Sequence, residues 1–184
     1  AIVRWQLENE PFFSFGNCQA PNWHRLVLER DMVKKLDPTR PILVTDSGEL
    51  SSWWEAAGLG DELGVTMYRV TWNPVTGYFT YPLPALWYRA KAALVRPWVQ
   101  RTIVSELQLE PWASHGLKNQ TKVDIEHSLS MSQFRDNISY FRATGLPEAF
   151  LWGVEWWYYA KERLDEPNYW NEAQSLFASS QSVD

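Results

Sequence analysis

This chain of 184 residues is short of several things that chemistry often relies on. It has one cysteine, Cys18, so no internal disulfide framework exists and no cysteine-based metal site can be built from the chain alone. A nucleophilic thiol would need a histidine and an orienting group beside it. His24 is the nearest histidine in sequence, with Pro21-Asn22 between them, so Cys18 reads as a structural thiol. The three histidines, His24, His115 and His127, are too dispersed to form a metal set by spacing, and no His-Glu-x-x-His arrangement occurs. The nine glycines are isolated rather than grouped into a phosphate-cradling loop, so neither a nucleotide nor any other cofactor is expected.

Basic charge is also scarce. Seventeen Lys and Arg against twenty-two Asp and Glu leave a net charge of −5, with the cations scattered, which argues against a nucleic-acid partner. Lys34-Lys35 and Lys161 to Arg163 read as solvated helix faces. No apolar run approaches the roughly 18 residues of a membrane-spanning helix, so no membrane partner is expected. Ala1 opens inside a strand-like pattern with neither an initiator Met nor a leader, so the natural protein is expected to start upstream. Localisation therefore has no signal here.

Aromatic residues are what the chain has in excess. Twelve Trp with eight Tyr and eight Phe offer flat apolar faces, many with a polar edge, and such faces suit sugar rings. Most of these rings belong in a core, and a Trp at a strand end is the exception. Trp53-Trp54 and Trp72 are candidates for extra sugar platforms.

Short runs rich in β-branched and aromatic residues predict strands at Ile2 to Leu7, Ile42 to Thr45, Leu63 to Tyr68, Thr102 to Leu107 and Ala149 to Val154. Helices are predicted at Trp23 to Leu36, Ser51 to Ala57, Leu83 to Val95 and Leu129 to Thr144, with Ser52 and Glu55 spaced as a capping box. Alternation of this kind predicts parallel βα units, an α/β fold and one domain or a piece of one over 1–184. Two loops after strands, Thr71 to Pro82 and Pro111 to Ser128, are longer than a connection needs. In such folds loops after strands carry the chemistry.

Two strand ends carry acid. Asn9-Glu10-Pro11 closes the first run, and Ser105-Glu106-Leu107-Gln108-Leu109-Glu110-Pro111 interrupts a strand that should be buried. A buried carboxylate is costly unless paired or functional, and two carboxylates on rigid strand ends are the minimum for glycosidic cleavage. Position slightly favours Glu110 over Glu106, because it lies nearer the turn. Asp46-Ser47-Gly48-Glu49 reads equally well as cleft lining or as an ordinary turn after a strand. Glu155 either contacts substrate or holds Trp156 and Tyr158 in place.

In order and spacing, Asn9-Glu10-Pro11, Met67-Tyr68, Ser105-Glu106 and Leu151-Trp152-Gly153 resemble strands four, six, seven and eight of the clan A glycoside hydrolases. That resemblance, spanning Ile2 to about Tyr158, implies a (β/α)8 TIM barrel of which this chain supplies strands four to eight. It also implies retaining cleavage of β-linked oligo- or polysaccharide. Glu10 would be the general acid/base and Glu106 the nucleophile, with Asn9, Tyr68 and Trp152 contacting nucleophile or sugar, and Glu110, Trp72 and Glu155 as further substrate contacts. A small polar residue before the nucleophile favours Glu106 over Glu110. Thr66 stands where members often have His. Besides a carbohydrate substrate, the expected partner is the missing N-terminal part of the barrel or a second copy. The alternative function is a non-catalytic carbohydrate-binding or assembly module on a partial barrel.

Overall fold

A computed structural model describes residues 2–14, 22–114, 116 and 119–180; Cys18 and His115 lie outside the described residues. The chain divides into two compact units. The first comprises Ala1–Tyr68, Tyr81–Leu107 and Ser139–Phe150, and the second comprises Arg69–Thr80, Gln108–Ile138 and Leu151–Asp184.

The elements run β1 (Trp5–Gln6), α1 (Trp23–Leu36), β2 (Ile42–Asp46), α2 (Trp54–Leu59), β3 (Glu62–Met67), β4 (Val70–Asn73), β5 (Gly77–Thr80), α3 (Ala85–Val95) and β6 (Arg101–Gln108). They continue as α4 (Lys122–Leu129), α5 (Met131–Thr144), β7 (Ala149–Trp152), α6 (Val154–Arg163) and α7 (Asn168–Ser180). The sheet of the first unit has the order β1-β2-β3-β6-β7, with β1 on β2, β2 on β3 and β3 on β6 all parallel. β2 and β3 are buried at every position, as expected for apolar strands covered on both faces. α1 starts where the Asn22 side chain accepts the Arg25 amide and stops before Asp37-Pro38, because a residue ahead of proline is pushed out of helical geometry.

The expected (β/α)8 barrel is not what forms. The described residues build a five-stranded sheet whose outer strands, β1 and β7, each have one neighbour, and a separate antiparallel hairpin of β4 and β5. Alternating βα units predict parallel pairing, but closure depends on strand number and stagger around the whole ring, which no local pattern encodes. The α/β class itself holds. The first strand is shorter than predicted: regular pairing ends at Gln6 and Glu8 and Glu10 take positive φ of 53° and 45°, while the Leu7 and Glu10 amides still donate to Leu43 O and Thr45 Oγ1 of β2. Glu10 therefore stands in the turn beyond β1. The predicted capping box also fails: α2 is preceded by Trp53 at φ 77°, with no side-chain cap bond.

The second unit holds the β4–β5 hairpin and helices α4, α6 and α7. α4 carries a full capping box between Thr121 and Asp124. Trp156 and Tyr169 meet edge-to-face at 4.7 Å, and Phe134 packs edge-on against Trp157 and Tyr169, so these rings form the core of the unit, whereas Trp152, Tyr158 and Tyr159 stay exposed.

Candidate active site

At the carboxyl ends of the strands in the first unit, four acids gather: Glu10 beyond β1, Asp46 ending β2, Glu49 in the following loop, and Glu106 in β6. Glu10 is half-buried, and its backbone amide donates to Thr45 Oγ1 at 2.8 Å. Its positive φ is a sparsely populated geometry for a residue with a side chain, one that persists only where the surroundings fix it. Thr66 Oγ1 donates to Glu10 Oε1 at 3.2 Å. Burial pushes the Glu10 carboxyl up to about 7, the Glu106 charge adds to the rise, the Thr66 hydroxyl opposes it, and Asp46 contributes a little more.

Glu106 is half-buried in β6, and the Tyr68 hydroxyl donates to its Oε2 at 2.7 Å. Burial raises this carboxyl above the ordinary range while the Tyr68 hydrogen bond pulls it back. The two environments differ in the direction needed to separate an acid from a carboxylate: Glu10 sits beside another negative charge, and Glu106 receives a phenolic proton. Asn9 is tied locally, its Oδ1 accepting from Gln6 Nε2 at 3.2 Å and lying 3.5 Å from Thr45 Oγ1.

Three residues whose part the sequence left open or missed complete the cluster. Glu49 Oε1 accepts from the Tyr68 amide at 2.7 Å and from the Tyr88 hydroxyl at 2.5 Å. Although the residue keeps some surface, its carboxyl head is enclosed, and burial pushes it up to about 7. Lys91 of α3 lies 4.0 Å over the Trp53 ring and donates to Ser51 O at 2.5 Å; burial brings its ammonium down to about 8, against the pull of Asp46 and Glu49. Trp53 itself is fully buried, with its Nε1 donating to Ser47 O at 2.9 Å. Trp53 is thus a packing residue and not the exposed sugar platform that its place after a strand suggested. Trp54 is partly exposed and meets Trp98 edge-on at 5.0 Å.

The remaining expected contacts, Trp72, Glu110, Trp152 and Glu155, belong to the second unit. There Trp152 is 47% exposed and donates from Nε1 to Glu110 Oε1 at 3.1 Å. Gly153, at φ 149°, has no room for a side chain, because a Cβ would sit 2.6 Å from Leu109 O. Glu155 is exposed in the first turn of α6, and Trp72 is half-buried in β4. His127 stacks on Tyr78 at 5.3 Å, His24 is exposed on α1, and no acid or histidine cluster among the described residues has metal-binding geometry. No helix among them is long and apolar enough to cross a membrane.

No protein-family model matches the chain, and no curated protein matches it. Among solved structures, the chain is similar to one titled an FMN-binding beta-glucuronidase from Facaelibacterium prausnitzii L2-6, with a TM-score of 0.54 and 13% identity. The match covers 82% of this chain and 22% of that one, so the chain spans about a fifth of the length of the structure it resembles. At this identity the likeness is one of fold: the chain is folded like a segment of that protein.

Proposed function

We propose that this chain carries the catalytic acids of a retaining glycoside hydrolase of clan A type, acting on β-linked oligo- or polysaccharide. The observation that carries the reading is the Tyr68 hydroxyl on Glu106 beside a Glu10 that keeps its proton up to about 7. Glu106, ionised and oriented by Tyr68, attacks the anomeric carbon. Glu10 gives its proton to the departing oxygen, then takes one from the water that frees the glycosyl-enzyme, so configuration is retained. Glu106 is favoured over Glu110 as nucleophile because it lies in the same unit as Glu10 and raises its pKa, whereas Glu110 accepts from Trp152 in the other unit.

The fold likeness to a glycosidase-titled structure supports the same class. The FMN of that title is said of that protein alone and is not extended to this chain.

The full chain is to be assayed on aryl β-glucoside, β-galactoside, β-mannoside and β-glucuronide, alongside Glu10→Gln, Glu106→Gln and Glu110→Gln. Turnover in the parent that is abolished in Glu106→Gln and survives in Glu110→Gln supports the assignment. Sugar binding without turnover in the parent overturns it in favour of a carbohydrate-binding module.

A further inference from the structure

Glu49 has no task in the mechanism above, yet it is the most heavily hydrogen-bonded acid of the cluster. Besides the Tyr68 amide and the Tyr88 hydroxyl on Oε1, its Oε2 lies 3.5 Å from Thr66 Oγ1, the same oxygen that stands 3.2 Å from Glu10 Oε1. The Gly48 amide also donates to Thr66 Oγ1, at 3.2 Å. This close approach requires glycine, since a Cβ at position 48 would lie 1.8 Å from Thr66 O and 2.8 Å from the Tyr88 ring. A threonine hydroxyl has one proton and two lone pairs. It can therefore donate to only one of the two carboxyls at a time.

Building on the hydrolase reading, we infer that Glu49 is a positioning residue for Glu10: the two carboxyls contend for the single Thr66 proton, and the protonation of Glu49 decides which receives it. With a proton on Oε2, Glu49 donates to Thr66 Oγ1, whose second lone pair already accepts from Gly48, and Thr66 is left to donate to Glu10. An ionised Glu49 instead draws the Thr66 proton to itself. Once Glu10 has handed its proton to the departing oxygen, a neutral Glu49 thus turns Thr66 toward the new carboxylate and steadies it until water restores the proton. No bond is made or broken at Glu49, and no proton leaves the Glu49–Thr66 pair. The groups facing Glu49 are Glu10 beyond β1, Thr66 of β3 and Tyr68 just past it, and Tyr88 and Lys91 from α3. Enclosure of its carboxyl keeps the neutral form populated up to about pH 7, and the Glu10 charge favours it further.

The test reads the carboxyls directly, by NMR titration of the full chain with 13C-labelled glutamate side chains, assigned through Glu10→Gln and Glu49→Gln. In the parent, Glu10 and Glu49 titrate as a coupled pair. Glu49→Gln, which preserves shape and can still donate to Thr66, moves the Glu10 midpoint down by about half a pH unit or more, because a neighbouring charge is gone. Thr66→Val moves it up, because the donor to the carboxylate is lost. An unmoved Glu10 midpoint in both variants overturns the coupling, whatever the activity. On turnover, the high-pH limb of the Glu49→Gln profile moves down with the Glu10 midpoint, and Glu49→Ala loses turnover. Coupled titration in a chain that turns over no glycoside overturns the hydrolase reading, and with it the role of Glu49 in catalysis.

Discussion

Where the strands of the first unit begin, Glu62 and Glu148 lie between Arg4 and Arg101. Arg4 reaches Glu62 at 3.0 Å and Glu148 at 2.8 Å, Arg101 reaches Glu62 at 3.0 Å, and Arg101 also pairs closely with Glu148. Where the same strands end, Glu10, Glu49 and Glu106 are held by hydroxyls and a backbone amide instead. The residue type is the same, and the outcome is opposite. A guanidinium favours the charged form and pins Glu148 below the ordinary carboxylate range, while enclosure with only neutral donors carries Glu10 and Glu49 up to about 7. Acids of the first kind fasten a sheet; those of the second can give and take protons near neutrality.

Each end can be broken separately. The largest effect expected is on turnover: Glu106→Gln abolishes it and Glu10→Gln lowers kcat by roughly 10²–10⁴-fold, with no loss of thermal midpoint in either variant. At the other end, Glu62→Ala removes one of the two carboxylates that Arg4 and Arg101 share and leaves Glu148 to hold both guanidiniums. It should cost about 1.5–3 kcal/mol in denaturant unfolding while activity per folded molecule is unchanged. Tyr68→Phe removes a neutral hydrogen bond to a charged group, so kcat/KM should fall about tenfold or somewhat more. The acid limb of its pH profile should then move to higher pH as Glu106 loses the donor that lowers it.

The dependence of stability on pH is the sharpest in sign. Glu148 is lowered in the fold, so its contribution to stability is present above its unfolded value and is lost as pH falls through the folded one. Glu10 and Glu49 are raised from 4.5 to about 7, so the native state binds more protons between those values. Their combined contribution makes stability decline as pH rises from 4.5 to 7 and level off above it. Denaturant midpoints measured across that range in the parent and in Glu10→Gln should differ, with the variant losing less.

Much of this contrast was legible in the sequence. Continuous apolar runs located the cores of β2, β3 and β6, and the Trp23–Leu36 helix was readable at both ends. The Tyr68–Glu106 pairing followed from order along the chain, through resemblance. The β4–β5 hairpin was hidden in what read as a loop, although Asn73, whose side chain accepts the Val75 and Thr76 amides, and Gly77, at φ 73°, flank its turn. Of α6 only its end, Lys161 to Arg163, was read as a helix face, because Trp and Tyr crowd its start and blur the period, and α7 went unread. Glu49 looked like part of any turn after a strand, since its meaning lies in Thr66, Tyr68 and Tyr88, which only folding brings to it. The barrel, the Ser52–Glu55 capping box and the full length of the first strand were the expectations of fold that failed, and closure in particular is a property of the ring and not of its units.

The central claim, that Glu106 is the nucleophile served by Glu10, is tested most directly by trapping the glycosyl-enzyme with activated 2-deoxy-2-fluoro-β-glycosides and locating the label by fragmenting the tryptic peptide of residues 102–118. One sugar on the Glu106 side chain and no labelling in Glu106→Gln are expected. A sugar on Glu110, or turnover that inverts configuration and leaves no label, would contradict it.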